Sequence, residues 1–303
     1  MRLALTLGDP RGIGPEIAAK ALSDPRIAAL GASWYVIGPT GISIPVNESV
    51  GEWAPNGDRA ADIAHAGRLA GLAVERAARM ALAGEVDAIV TAPLDKAALQ
   101  AGGFDFPGHT EMLAEIAGVP TAMMLASDRL RVVLATTHIA LRDVPAAVTR
   151  EALLQAVYAT RQGLHHDFGI AEPRLALCAL NPHAGDSGRF GQEDDDLLAP
   201  VAREAGIAGP YPADTVFVRA MRGEFDAVIA PYHDVGMTAI KVASFGSAVN
   251  VTLGLPFVRT SPDHGTGFEL AGRGLADGSS FANAVRVARA FAVRRRLRNV
   301  EER

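Results

Sequence analysis

Short runs of aliphatic and β-branched residues alternate along this chain with longer alanine-rich stretches of helical spacing, and the short runs end repeatedly at Gly, Pro or His. Leu3 to Leu7 gives way to GDPRGIGP and then EIAAKAL, Asp87 to Thr91 to APLDKAALQ, and Arg131 to Thr137 to His138. Leu175 to Leu180 leads into NPHAGDSG, and Asp226 to Ala230 into PYHDVG. Such alternation predicts a mostly parallel α/β sheet, in which ligands bind beyond the carboxyl ends of the strands. The pattern RAADIAHAGRLAGLAVERAARMAL predicts a long packing helix from Arg59 to Leu82. Phe281, Ala284, Val285, Ala288 and Phe291 recur at the same period and predict a second one near the C-terminus. Its basic run, Arg294 to Arg296, complements a helix dipole. Gly38 to Gly57 is rich in turn formers and predicts an irregular excursion, either a loop or a small flap.

With 49% hydrophobic and 21% charged residues in 303, the chain has ample material for a core, and at about 150 residues per domain its length predicts two lobes with a cleft. Lys and Arg number 29 against 34 Asp and Glu, a net charge of -5, so no global positive field draws the chain to nucleic acid. The single cysteine, Cys178, excludes an intramolecular disulfide or a Cys-rich metal site, and within LALCAL it reads as a buried small hydrophobe. The first apolar run is too short for a signal peptide and no stretch approaches a membrane span. A soluble, cytoplasmic protein without membrane partners is expected.

Of the eight histidines, His109, His138, His183, His233 and His264 sit in Gly/Pro/Thr/Asp-rich loops. His138, His183 and His233 each follow a separate strand run, so three imidazoles can converge at one sheet rim as a divalent-metal site with an open position. The bland alternative is a set of hydrogen-bonded structural histidines. His65, His165 and His166 read as surface or packing residues. Lys96, His109, Thr110, Lys241, Asn250 and Arg259 form a cationic and polar set suited to phosphate or carboxylate. GDPRGIGPE sits between a strand and a helix like a phosphate loop, with Pro15 and Glu16 suited to a first helical turn. It lacks both the Walker Gly-Lys-Ser/Thr and the third Rossmann glycine. No G-x-S-x-G elbow is present, so a hydrolase triad has no anchor.

The ordered set GDPRGIGPE, TAPLDK, FPGHTEMLA, TTHIALRD, LNPHAGDSGRFGQED, GPYPADTVF, PYHDVG and VNVTLGLPFVRTSPDHGTG closely resembles the 4-hydroxythreonine-4-phosphate dehydrogenase family of pyridoxal-phosphate biosynthesis. The resemblance runs from the first strand to about Asp277. It implies a two-lobed α/β/α fold like that of isocitrate and isopropylmalate dehydrogenases, with non-Rossmann NAD binding and an active site in the interlobe cleft. The lobes are expected at 1–105 plus 255–303, and at 106–254, the second carrying the metal ligands and a dimer interface. The resemblance also implies a homodimer with a shared active site. One divalent metal (Zn, Mg, Co or Mn) is then held by His138, His183 and His233, the last drawn from the partner chain. Substrate contacts fall to His109, Thr110, Lys241, Asn250 and Arg259.

The implied reaction is NAD- or NADP-linked oxidation of 4-phosphooxy-L-threonine to a β-keto acid that loses carbon dioxide, leaving 3-amino-2-oxopropyl phosphate. Lys241, Asp234 through water, or a water chain takes the hydroxyl proton. The chain departs from many relatives at Val235, where they carry glutamine, and at Ala140, where they carry proline, and it is shorter around Gly38 to Gly57. These departures leave room for a related four-carbon acid phosphate such as D-erythronate or D-threonate 4-phosphate. A non-catalytic phosphate-ester binding protein is the remote alternative, for which Lys241 and Arg259 suffice.

Overall fold

Eleven strands form among the described residues: β1 (Arg2–Thr6), β2 (Ser33–Thr40), β3 (Glu48–Glu52), β4 (Ala88–Thr91), β5 (Ala122–Ala126), β6 (Arg131–Leu134), β7 (Leu175–Cys178), β8 (Ala208–Tyr211), β9 (Ala227–Ala230), β10 (Val249–Leu253) and β11 (Val258–Pro262). The computed structural model describes residues 1–301 apart from Phe245 and the side chains of Asn299 and Glu301. The chain divides into two units, Met1–Val119 with the segment from Leu255 onward, and Pro120–Gly254. The division falls at 119/120 where the sequence placed it at 105/106, so His109 and Thr110 fold with the first unit.

In the first unit the strand order is β3-β2-β1-β4-β11, with parallel pairing throughout. The central strands are apolar on both faces, as parallel strands covered by helices must be; Leu3, Leu5, Ile89 and Val90 are fully buried. The excursion expected from Gly38 to Gly57 instead contains the end of β2 and the whole of β3, which pairs at the sheet edge around an irregularity between Gly38 and Thr40. The long helix spans Arg59–Leu82 as its periodicity predicts, with the Asp58 carboxylate accepting from Ala60 and Ala61 N at its start. The C-terminal helix begins at Ser279 and carries buried Phe281, Ala284, Val285, Ala288 and Phe291. Its basic run is tied to the body of the unit: Arg295 donates to the Leu255 carbonyl and Arg296 to Asp87.

The second unit has the order β10-β5-β6-β9-β7-β8. β6, β9, β7 and β8 run parallel, and β5 is antiparallel to both β6 and β10. Parallel neighbours leave their carboxyl ends on one edge, so the segments after β6, β9 and β7, which carry His138, His233 and His183, emerge side by side.

Helix Arg59–Leu82 approaches the short helix Lys96–Ala101 so closely that a Cβ on Gly67 would lie 1.7 Å from the Ala98 carbonyl oxygen. Helix propensity favours alanine over glycine by about 1 kcal/mol, whereas a clash with backbone in a packed interface costs about 1–3 kcal/mol. Gly67→Ala is therefore expected to lower the melting temperature despite its better propensity; an unchanged or higher value in a thermal melt would contradict this packing.

Candidate functional site

Two groups of chemically capable side chains stand at strand ends, one in each unit. In the first, β4 and β11 pair in parallel with Arg259 opposite Ile89. The Arg259 side chain is only 2% exposed, and it reaches the last residue of β4, its Nη2 donating to Thr91 Oγ1 at 2.7 Å and its Nε at 3.2 Å. Burial pushes this guanidinium down to about 10, opposed by Glu111 nearby, so it stays a cation at neutral pH. His109 and Thr110 open the helix His109–Ala117, whose preceding residue, Gly108, supplies no capping side chain. His109 is half-buried as a residue, and its ring Nε2 is enclosed and has no hydrogen-bond partner. Burial first, then the charges of Arg259 and Lys96, hold this imidazole well below its usual 6.5, and it is neutral at pH 7. A buried cation, a neutral imidazole and a helix N-terminus in one unit are a chemistry for phosphate or carboxylate. Thr91, which steadies the cation, escaped the sequence reading because a threonine closing an apolar strand carries no signal of its own.

In the second unit the rings of His138 and His233 lie 5.4 Å apart between centroids. They line a small pocket of about 70 Å³ with Thr137, Tyr232 and Asp234. His233 opens the helix His233–Ser244 and its Nδ1 sits 2.7 Å from Asp234 Oδ1. A carboxylate only accepts, so Nδ1 carries the proton and Nε2 is left to bind outward, the arrangement by which carboxylates orient metal-ligating imidazoles. The imidazole donors of this pair suit zinc, cobalt or nickel. Within the chain the third imidazole does not join them: among the described residues no group of three or more His, Cys, Asp or Glu side chains is placed to hold one ion.

His183 sits instead in an exposed turn after β7 whose backbone is left-handed over several non-glycine residues, with φ of 53° at His183, 54° at Ala184, 47° at Asp186 and 57° at Ser187. Each such residue costs about 1–2 kcal/mol relative to the right-handed form. Strain of this kind persists only where surrounding contacts enforce it, and it clusters at functional loops. Lys241 lies on the helix His233–Ser244, about two turns beyond His233, and is exposed. Asn250 stands on β10 opposite Leu125, half-buried, with its Oδ1 enclosed and unpartnered.

The glycine-rich loop after β1 serves as a brace. Asp9 is fully buried and accepts from Arg11 Nη2 at 2.6 Å and Arg11 N at 2.9 Å. The Arg11 guanidinium stacks 5.0 Å from the Phe268 ring centre, and Ile13 N donates to the Thr266 carbonyl. The loop thereby fixes the segment around His264, whose Nδ1 lies 3.0 Å from the Gly265 carbonyl. Cys178 is fully buried and its thiol is pushed up to about 12 by desolvation, so it is no nucleophile. His65 packs against Trp53 with the rings tilted by 50°, and His165 meets His166 edge-on at a helix end, both packing roles.

The family described as "Pyridoxal phosphate biosynthetic protein PdxA" matches residues 44–288. A 4-hydroxythreonine-4-phosphate dehydrogenase of Paracoccus denitrificans is 44% identical over 97% of this chain and 98% of its own. A Bradyrhizobium diazoefficiens protein named provisionally as a D-threonate 4-phosphate dehydrogenase is 42% identical over 93% of this chain and 94% of its own. The crystal structure of 4-hydroxythreonine-4-phosphate dehydrogenase from Klebsiella pneumoniae superposes with a TM-score of 0.82 at 36% identity, covering 96% of this chain and 99% of that one. No helix among the described residues is long and apolar enough to cross a membrane.

The depressed His109 gives the fold a pH dependence of definite sign. The unfolded chain takes up the proton near its ordinary value of about 6.5 while the folded one resists it, so stability is complete above that value and falls as pH drops below it. His109→Gln is expected to lose less melting temperature than the parent between about pH 6.5 and pH 5. Parallel losses in thermal melts across that range would contradict a neutral, enclosed His109.

Proposed function

Because the chain belongs to the PdxA family of pyridoxal phosphate biosynthetic proteins, whose members are oxidoreductases, we propose that it oxidises the secondary alcohol of 4-phosphooxy-L-threonine with NAD+ or NADP+. When bound, the nicotinamide would take up the hydride lost from the carbinol carbon, and the β-keto acid product loses carbon dioxide to leave 3-amino-2-oxopropyl phosphate. The observation that carries the reading is the buried Arg259 cation beside Thr91 and His109, a recognition group for an anionic end of the substrate, in a chain whose full-length relatives are named for a phosphorylated one.

Arg259 and the first turn of helix His109–Ala117, with Thr110, hold the phosphate or carboxylate, and Asn250 offers its enclosed amide oxygen to a donor such as the substrate amine. His138, His183 and His233 would hold one divalent ion; His233, expected from the partner chain, stands beside His138 in the same chain, and His183 is the imidazole that does not reach the pair. When bound, the ion supplies positive charge that makes a nearby alcohol more acidic and stabilises the electrons left by loss of carbon dioxide. Asp234 is engaged with His233 and keeps its Nε2 turned outward, which leaves Lys241 in its uncharged form, or a water chain, to accept the hydroxyl proton. Binding the substrate with its C–H facing the nicotinamide supplies the rest by orientation.

The His138–His233 pair lacks its third imidazole within the chain, which supports a homodimer whose sites are completed across the interface. Sedimentation is expected to show a dimer, and Co2+ affinity to fall as dilution separates the subunits. A monomer with full Co2+ affinity would contradict the shared site.

A second reading, oxidation of D-threonate or D-erythronate 4-phosphate, is supported by the Bradyrhizobium relative; it keeps the fold and residue roles and changes only the group that replaces the amine. With divalent metal added, nicotinamide reduction is expected to be faster with 4-phosphooxy-L-threonine than with either sugar-acid phosphate. The opposite order would favour the second reading, and no reduction with any of them would overturn both.

A further inference from the structure

We propose that Asp194 is the positioning residue for His183: its buried carboxylate clamps the start of the left-handed turn and so fixes where that imidazole is presented. The inference rests on the reading of His183 as a metal ligand given above.

Strand β7 ends at Cys178, and the chain then enters the turn through Leu180 and Asn181. The two amides at this point are taken by the two oxygens of one side chain, Leu180 N donating to Asp194 Oδ1 at 2.8 Å and Asn181 N to Asp194 Oδ2 at 2.9 Å. A carboxylate that accepts two successive amides sets the direction of the backbone as well as its position. Asp194 is fully buried and its amide partners half-buried, which limits the competition of water for these charge-assisted bonds. A second tie runs beside the first, Asn181 Nδ2 donating to Glu193 Oε2 at 2.8 Å.

Asp194 also opens a π-helical turn, Asp194–Leu198, an uncommon conformation that recurs at functional sites. The tip of the turn is closed over the same residues, since a Cβ on Gly185 would lie 3.1 Å from the Gly191 carbonyl oxygen and 3.6 Å from Asp194 Cβ. His183, Ala184, Asp186 and Ser187 all hold φ values that side-chain-bearing residues leave unless neighbours enforce them. The bonds from Leu180 and Asn181 to the buried carboxylate are the charged contacts at the base of this run. Asp194 touches no part of the pocket between His138 and His233, so its action on the site passes through the backbone that carries His183.

The test uses the full-length protein and Co2+ as the probe, followed by visible absorption, with amide hydrogen exchange as a second readout. Asp194→Asn keeps the shape and removes one acceptor. It is expected to weaken Co2+ binding by about tenfold or more, in line with partners one contact removed from a metal, to change the Co2+ absorption band, and to speed exchange at Leu180 and Asn181 while β7 and β9 stay protected. Asp194→Ala is expected to go further in the same direction, and if it fails to fold the asparagine variant carries the test alone. Val216→Ala, a core truncation in the same unit, controls for general loosening; an equal loss of Co2+ affinity at an equal loss of melting temperature would overturn the positioning role. His183→Ala separates the two layers. Loss of Co2+ there with full retention in Asp194→Asn overturns the role of Asp194 alone, whereas retention in both overturns the metal assignment and the positioning role with it.

Discussion

Parallel pairing is the constraint on which the chemistry of both units depends. A crossover connection returns the chain so that each parallel strand leaves the sheet on the same edge as its neighbour. β6, β9 and β7 are adjacent in one unit and β4 and β11 in the other, so residues far apart in sequence arrive together without any loop having to reach. His138 and His233 meet for this reason; Thr91 and Arg259 meet because the parallel register sets Arg259 opposite Ile89, within reach of the end of β4.

Electrostatics then distinguishes the two groups. Around Arg259 burial works against the charge, and the guanidinium keeps it only because its pKa begins so high. The same burial and the same charge keep His109 neutral, which avoids placing two cations against each other. Around His233 the polarity is reversed: an exposed carboxylate orients the imidazole. One unit thus presents a buried cation beside a neutral imidazole, and the other a pair of imidazoles with a carboxylate against one of them.

Much of this was legible in the sequence because the signals were local and strong. The five aliphatic runs all became strands, and the helix of Arg59–Leu82 needed only its period and the Asp58 cap. β5 and β10 were not legible, since AMMLA and VNVTL are short and their antiparallel pairing is decided by tertiary contacts. β3, with Glu48, Ser49, Gly51 and Glu52, reads as a loop and becomes a strand only because an open sheet edge accepts it. The candidate site was legible as a set of loops, because His, Lys and Arg among Gly and Pro are conspicuous. Its supporting residues were not. Asp194 stands in the acidic run EDDD, which looks like a solvated face until burial singles out one of its members. The left-handed backbone at His183 is likewise invisible in a sequence whose glycines there, Gly185 and Gly188, are only two of the residues involved.

Whether the buried Arg259 charge is held for an anionic end of the substrate is read by calorimetric titration of 4-phosphooxy-L-threonine into the parent and into Arg259→Met. Clear binding by the parent is expected, with a loss of about 100-fold or more in the variant, the scale of truncating one partner of a buried charged pair, and with the fold retained. Equal affinity in the two proteins would contradict it.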